Sequence, residues 1–216
     1  LRPGNRPVPR AMAQGDDVAW LASIGGLFFS SDEGATWEQA DIASSGNTNL
    51  VFTDVAARGD FVAGVSVLPE SLIPSEFGGL LSGRVFFSRS SGLTFDDADN
   101  DFPSKHPTSV TLAEDGTLYV GTMDYGVVRL DPTGWTPLFG PTDVVDVEWA
   151  EGGLSAASAT RGLWRLEDDD WSQVAPDVAA VGVEGSTGIV RGGEVYTLVP
   201  GKGAAADDTL GLHLGQ

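Results

Sequence analysis

Asp97, Asp99 and Asp101 are three aspartates at alternate positions, the spacing with which a calcium loop presents carboxylate oxygens. The surroundings fit that chemistry less well. Phe102 stands where a loop of this spacing needs a sharply turning glycine, and Thr108 stands where it needs a final bidentate glutamate. A solvated acidic turn is the competing expectation, and no other cofactor is called for. Acid–base chemistry has little to work with. The only histidines are His106 and His213, far apart and without neighbouring ligand patterns, and His106 beside Pro107 reads as a loop residue rather than a general base. Cysteine is absent, which excludes a disulfide framework, a thiolate nucleophile and any cysteine-ligated metal. Gly201-Lys202-Gly203 lacks the spacing of a phosphate loop, and the acidic run from Glu167 to Asp170 reads as a wet hairpin tip. Tyr125, following Asp124 in a connecting loop, has the flat face that a sugar could stack on.

The residues with the most regular spacing carry structure instead. Ser30-Ser31-Asp32-Glu33-Gly34-Ala35-Thr36-Trp37 fits Ser-x-Asp-x-Gly-x-Thr-Trp at every fixed position. In a hairpin turn of this composition the Asp carboxylate accepts hydrogen bonds from turn amides, Gly supplies a left-handed backbone angle, and Trp tucks its ring into the sheet. A second copy, Ser88-Arg89-Ser90-Ser91-Gly92-Leu93-Thr94-Phe95, has Ser90 in the Asp position and Phe95 for Trp. Leu27-Phe28-Phe29 and Val85-Phe86-Phe87 lead into the two copies alike. Fainter echoes follow, Gly126-Val127-Val128-Arg129-Leu130 before Trp135 and Gly162-Leu163-Trp164-Arg165-Leu166 before Trp171, then Gly193-Glu194-Val195-Tyr196. The aromatics Trp37, Phe95, Trp135 and Trp171 are 58, 40 and 36 residues apart. Without an insertion of about 15 residues in the first interval, the period is that of four-stranded propeller blades.

On these motifs the chain resembles the Asp-box, or BNR-repeat, β-propellers of the sialidase-like superfamily. The resemblance implies an all-β propeller, here of about five four-stranded blades, with structural Asp-box roles for Asp32, Gly34, Thr36 and Trp37 in the first box and Gly92, Thr94 and Phe95 in the second. It implies no activity. Sialidases carry an Arg-Ile-Pro motif before the first boxes and a triad of arginines. The only Ile-Pro here is Ile73-Pro74, preceded by Leu72. Arg129 and Arg165 recur at one repeat position, which points to a structural or blade-surface role. Other Asp-box proteins are assembly factors, adhesins, sensor domains and exported proteins that present a rigid disc for recognition.

The elements that must hold these motifs are short apolar runs separated by Gly, Asp, Ser and Pro turns, with no sustained helical period. They divide into blades at about residues 8–40, 50–97, 108–139, 144–175 and 178–214, within one propeller domain over 17–216 preceded by an arm over 1–16. Pro7 and Pro9 weaken residues 8–13 as a first inner strand. Residues 209–214 are expected to serve as a last or completing strand. Nothing approaches the roughly 18 apolar residues of a membrane span.

Charge narrows the partners. Thirty-one acids against 12 bases give a net charge of −19, which repels nucleic acid and anionic lipid. In a four-stranded meander, loops from second to third strand and loops between blades emerge on one face, and Asp-box turns on the other. The insertion at 68–82 and the acidic segment 96–107 should therefore crown the same face. Leu72, Ile73, Phe77, Leu80 and Leu81 are too many apolar groups for an idle loop, so this segment either plugs the propeller mouth or anchors a partner. The functional expectation is a non-enzymatic protein–protein interaction or scaffold module whose partner is another protein, either alone or within a multi-subunit assembly. A carbohydrate-binding or glycoside-processing propeller is the alternative. Residues 1–16 lack a signal-peptide core, and the resemblance implies export, followed by cleavage, to a secreted or periplasmic location.

Overall fold

The computed structural model describes residues 8–42, 50–67, 83–92, 94–98, 101–176, 180–184, 187–190 and 195–197, with only the backbone described for Asp97 and the last three groups. These residues contain strands and turns and no helix. The first sheet holds β1 (Val8–Gln14), β2 (Ala19–Ile24), β3 (Gly26–Ser30) and β4 (Glu38–Gln39). The second holds β5 (Val51–Arg58), β6 (Phe61–Val67), β7 (Gly83–Ser88) and β8 (Asp96–Asp97). The third holds β9 (Pro107–Leu112), β10 (Leu118–Thr122), β11 (Gly126–Asp131) and β12 (Gly134–Leu138). The fourth holds β13 (Val144–Ala150), β14 (Gly153–Ser158), β15 (Gly162–Glu167) and β16 (Asp170–Ala175). β17 (Ala180–Glu184), β18 (Thr187–Val190) and β19 (Val195–Thr197) make a fifth, three-stranded sheet. Each is an antiparallel meander, and one bridge between Ile24 and Val51 ties the first to the second.

The first strand of every sheet carries a register shift near its start, at Pro9/Ala11, Phe52/Asp54, opposite Gly121/Thr122, at Val144/Asp146 and at Ala180/Gly182. A bulge recurring at one repeat position bends each inner strand the same way. It also explains how β1 tolerates Pro9. The proline stands beside a bulge on an edge strand, where a missing N–H breaks no essential ladder bond.

The sheets stack face to face over three apolar layers. Trp20, Ala22 and Leu27 meet Phe52, Val55, Val62 and Phe86 between the first and second sheets. Ala63, Val65, Val85 and Phe87 meet Val110, Leu112, Leu118 and Val120 between the second and third. Tyr119 and Val127 meet Val147, Leu154 and Ala156 between the third and fourth.

The octapeptide at 30–37 forms the turn from β3 to β4. Asp32 accepts from Thr36 N at 2.8 Å, Thr36 Oγ1 at 2.5 Å and Ser30 Oγ at 2.8 Å, while Gly34 N donates to Ser30 Oγ at 2.8 Å. The hydrogen bonds from Thr36, then Ser30, hold the carboxyl of Asp32 down at about 2. The turn after β7 repeats two of these backbone angles, with Ser91 and Gly92 at φ 52° and 79° where Glu33 and Gly34 stand at 58° and 86°. Gly92 N again reaches the leading serine, Ser88 Oγ, at 3.0 Å, but Ser90 offers Thr94 N only a hydroxyl at 3.2 Å. Ser90→Asp should therefore stabilise the protein by about 0.5–1 kcal/mol, because an ionised acceptor strengthens the bonds from both Thr94 donors. Urea unfolding checks the sign.

One expectation fails here. The ring of Trp37 does not enter the sheet. It lies half-buried over its own turn, with Nε1 donating to Gly34 O at 3.1 Å. The physical reason lies in what the other sheets do with this position. Phe95 meets Trp20 of the first sheet edge-on at 5.9 Å, Trp135 donates to Ala98 O in the loop leaving the second sheet, and Trp171 packs on Gly140 in the loop leaving the third. Each aromatic docks on the sheet before its own, and among the described residues the first sheet has none before it.

Candidate interaction face

Loops from second to third strands and loops between sheets come together on the face opposite the 30–37 and 88–95 turns. A backbone relay fixes them. Met123 N donates to His106 O at 3.1 Å, Asp143 N to Met123 O at 3.2 Å, and Ala159 N to Asp143 O at 2.9 Å. The relay thus runs from the loop entering β9, through the β10–β11 turn and the loop entering β13, to the β14–β15 turn. Gly126 (φ 74°) lies against this frame, and a Cβ there would stand 2.2 Å from Pro141 O. Only glycine permits that approach.

Side chains brace the relay. Asp124 accepts from Ser104 Oγ through one oxygen, and its other lies 3.5 Å from His106 Nδ1, an ion pair whenever the imidazole carries both protons. Ser104 Oγ in turn accepts from His106 N at 2.9 Å. Thr122 Oγ1 accepts from Tyr125 N at 2.9 Å and donates to Gly126 O at 2.9 Å. One sheet later Ser158 takes the place of Thr122, accepting from Arg161 N at 3.0 Å and donating to Thr142 O at 2.7 Å. Thr160 Oγ1 donates to Asp143 at 2.8 Å. Tyr125 and Arg161 therefore occupy one repeat position, each held by its backbone and displayed by its side chain.

What this frame displays is apolar and aromatic. Met123 is 40% exposed, Tyr125 50% and Phe139, where the chain leaves β12, 94%. Lys105, Asp124 and Arg161 are exposed among them. Ser104, His106 and Asp124 do not form a nucleophile–base pair, since the carboxylate rather than the imidazole engages the serine hydroxyl. Their geometry ties a loop to a turn.

The residues singled out by the sequence fall unevenly on this surface. Leu72, Ile73, Phe77, Leu80 and Leu81 lie outside the described residues. The flanks of their loop are placed, however: Val67 ends β6, and Gly83 N donates to Lys105 O at 2.8 Å, beside His106. Of the calcium aspartates, Asp97 belongs to β8, Asp99 is outside the described residues, and Asp101 is an exposed turn residue with φ 60°. Among the described residues no cluster of three or more His, Cys, Asp or Glu side chains could hold a metal. Arg129 pairs with Asp131 at 2.7 Å and reaches Asp169 of the next sheet at 3.9 Å. Arg165 is 2% exposed, donating to Ser155 Oγ and Ala150 O.

Sequence reasoning missed two features. The contact of Asp124 with Ser104 and His106 joins residues some twenty positions apart, with no motif to announce it. The other is Asp54 on β5, whose carboxylate accepts from Val55 N at 2.9 Å and, across the gap between sheets, from Val110 N at 2.9 Å. Burial pushes its pKa up to about 7, against the pull of Val110 N and with help from the negative charges of Asp146 and Glu148.

No protein-family model matches the chain, and no curated protein sequence does. Solved structures do. YCF48 bound to a D1 peptide superposes with a TM-score of 0.60 at 16% identity, over 90% of this chain and 66% of that one. A chain of a nidogen/laminin complex gives 0.60 at 11% identity, over 89% and 76%. The GH74 xyloglucanase from Xanthomonas campestris gives 0.53 at 17% identity, over 83% of this chain and 27% of that one. This chain thus spans just under two thirds of YCF48 and about a quarter of the xyloglucanase. At such identities the likeness is one of fold, and the fold is a β-propeller.

Proposed function

We propose that this propeller is a non-enzymatic binding module that presents the β10–β11 turn and its neighbouring loops to another protein, within a multi-subunit assembly outside the cytoplasm, secreted or periplasmic. The observation that carries the reading is the pairing of exposed Met123 and Tyr125 with a backbone that cannot easily move. An aromatic held rigid and half in water loses little conformational entropy on binding and has much surface left to bury. The apolar loop with Leu72, Ile73, Phe77, Leu80 and Leu81 belongs to the same surface on this reading, because its far flank is bonded to Lys105. Two proteins of similar fold are seen with a peptide or protein partner, one bound to a D1 peptide and one in a nidogen/laminin complex. The finer architecture goes with the proposal: about five blades, and Asp-box hairpins at 30–37 and 88–95. No described side chain is given a catalytic role.

Carbohydrate recognition is the second reading, supported by the exposed face of Tyr125 and the fold likeness to a xyloglucanase. Variants separate the two. Tyr125→Ser should weaken the complex with the native protein partner at least about tenfold, a loss of roughly 1.4 kcal/mol, with the melting temperature unchanged. Phe77→Ala should act likewise. A large fall in melting temperature for Phe77→Ala would make the loop a plug, and heat evolved on titration with oligosaccharides, lost in Tyr125→Ser, would favour the sugar.

A further inference from the structure

Two loops at one repeat position treat the same aromatic differently. Phe102 and Phe139 each stand five residues ahead of the next sheet, which begins at Pro107 and at Val144. The tryptophans that follow them also correspond, since Trp135 pairs with Leu130 and Trp171 with Leu166. In the earlier repeat the contacts close. Phe102 lies edge-on to Trp135 with ring centroids 4.7 Å apart, and Trp135 Nε1 donates to Ala98 O at 2.9 Å. In the later repeat they stay open. Phe139 is 94% exposed, and Trp171 Nε1 is buried with no hydrogen-bond partner among the described residues.

Both costs fall on one short segment. A phenyl ring left in water forgoes its hydrophobic transfer, and a buried indole N–H without an acceptor loses its hydration uncompensated. Glycine permits the arrangement that is seen. The backbone of Gly140 lies on the Trp171 ring, where a Cβ would stand 2.5 Å from Cγ of the indole. It takes the place against Trp171 that the ring of Phe102 takes against Trp135. The ends of the segment are fixed. Leu138 is paired with Val127 in β11, and Pro141 is buried with its carbonyl facing Gly126. Phe139 and Gly140 are the two residues between those anchors.

We propose that Phe139 and Gly140 form a latch with two arrangements, the open one described and a closed one. In the closed one Phe139 packs edge-on to Trp171, and a carbonyl of the segment accepts from Trp171 Nε1. Closing satisfies the exposed ring and the orphaned N–H together, and it withdraws an aromatic from the loop-rich face. The consequence for binding rests on the reading of that face as a protein-binding surface. A partner that covers Phe139 holds the latch open, and the closed population lowers its apparent affinity.

The test needs no partner, so the latch can fail while the binding reading stands. The chain has six tryptophans, and NMR of the full chain with isotope-labelled indole nitrogens gives a sparse spectrum. The Trp171 signal is the one lost in Trp171→Phe. Phe139→Ala removes the ring that closes the latch, whereas Gly140→Ala puts a Cβ where the open arrangement has no room for it. The two variants should therefore move the Trp171 signal from its wild-type position in opposite directions, with the Trp135 signal left in place. Phe139→Ala decides alone if Gly140→Ala does not fold. A Trp171 signal that stays put in Phe139→Ala, or that both variants move the same way, would overturn the proposal.

Discussion

Phe95→Ala is expected to destabilise the protein by about 3–5 kcal/mol, and Trp37→Ala, at the matching place in the first hairpin, by only about 1 kcal/mol. The two aromatics end similar turns but meet different surroundings. Phe95 is 7% exposed, lies edge-on to Trp20 at 5.9 Å and belongs to the layer containing Leu27, Phe52 and Phe86. Truncating it removes the transfer energy of a buried ring and leaves a hole beneath Trp20, and those two terms add. Gly92, three residues earlier, shows how tight the place is: a Cβ on it would stand 2.1 Å from Trp20. Trp37 covers only its own turn and keeps one hydrogen bond, to Gly34 O, so its loss removes partial burial and leaves no cavity. Urea unfolding of both variants settles the ordering, and equal losses would contradict the docking of each aromatic on the sheet before it.

Stability should fall as pH rises from about 4 to 7, by as much as about 4 kcal/mol, and Asp54→Asn should abolish most of that slope. The sign follows from linkage. Burial raises the pKa of Asp54 in the folded state from 3.8 to about 7, so between those values the folded chain holds a proton that the unfolded chain has released. The stabilising contribution is complete below about pH 4 and is lost as pH climbs through 7, three pKa units at about 1.4 kcal/mol each setting its ceiling. Asp32, Asp115 and Asp131 work in the opposite direction, because their depressed pKa values remove stability only in stronger acid. Comparing wild type with Asp54→Asn at pH 5 and pH 8 isolates the one group. Parallel profiles would mean that Asp54 stays ionised between the sheets, its two backbone donors outweighing its burial.

Fold was legible in this sequence because the propeller repeats its local chemistry. Lead-ins such as Leu27-Phe28-Phe29 and Val85-Phe86-Phe87 are strands by composition, and the turns after them are fixed by residues that bond within eight positions. Depth of burial was less legible, since it depends on the neighbouring sheet. Trp37 satisfies its motif as fully as any residue here and still lies half in water. Pro9 argues against a strand at β1 because nothing local marks the bulge that accommodates it. At the candidate face, Tyr125 could be seen as an aromatic in a loop, but its bracing by Thr122 and the relay through His106, Met123 and Asp143 depend on contacts between sheets. Asp54 was invisible for the same reason: its partner Val110 lies 56 residues away.

The central claim is that the loop-rich face holds another protein, and the native mass of the protein, isolated gently from its source, tests it most directly. A stable complex with co-purifying chains, dissociated by Tyr125→Ser at an unchanged melting temperature, is the predicted result. A lone monomer, identical for wild type and variant, would contradict it.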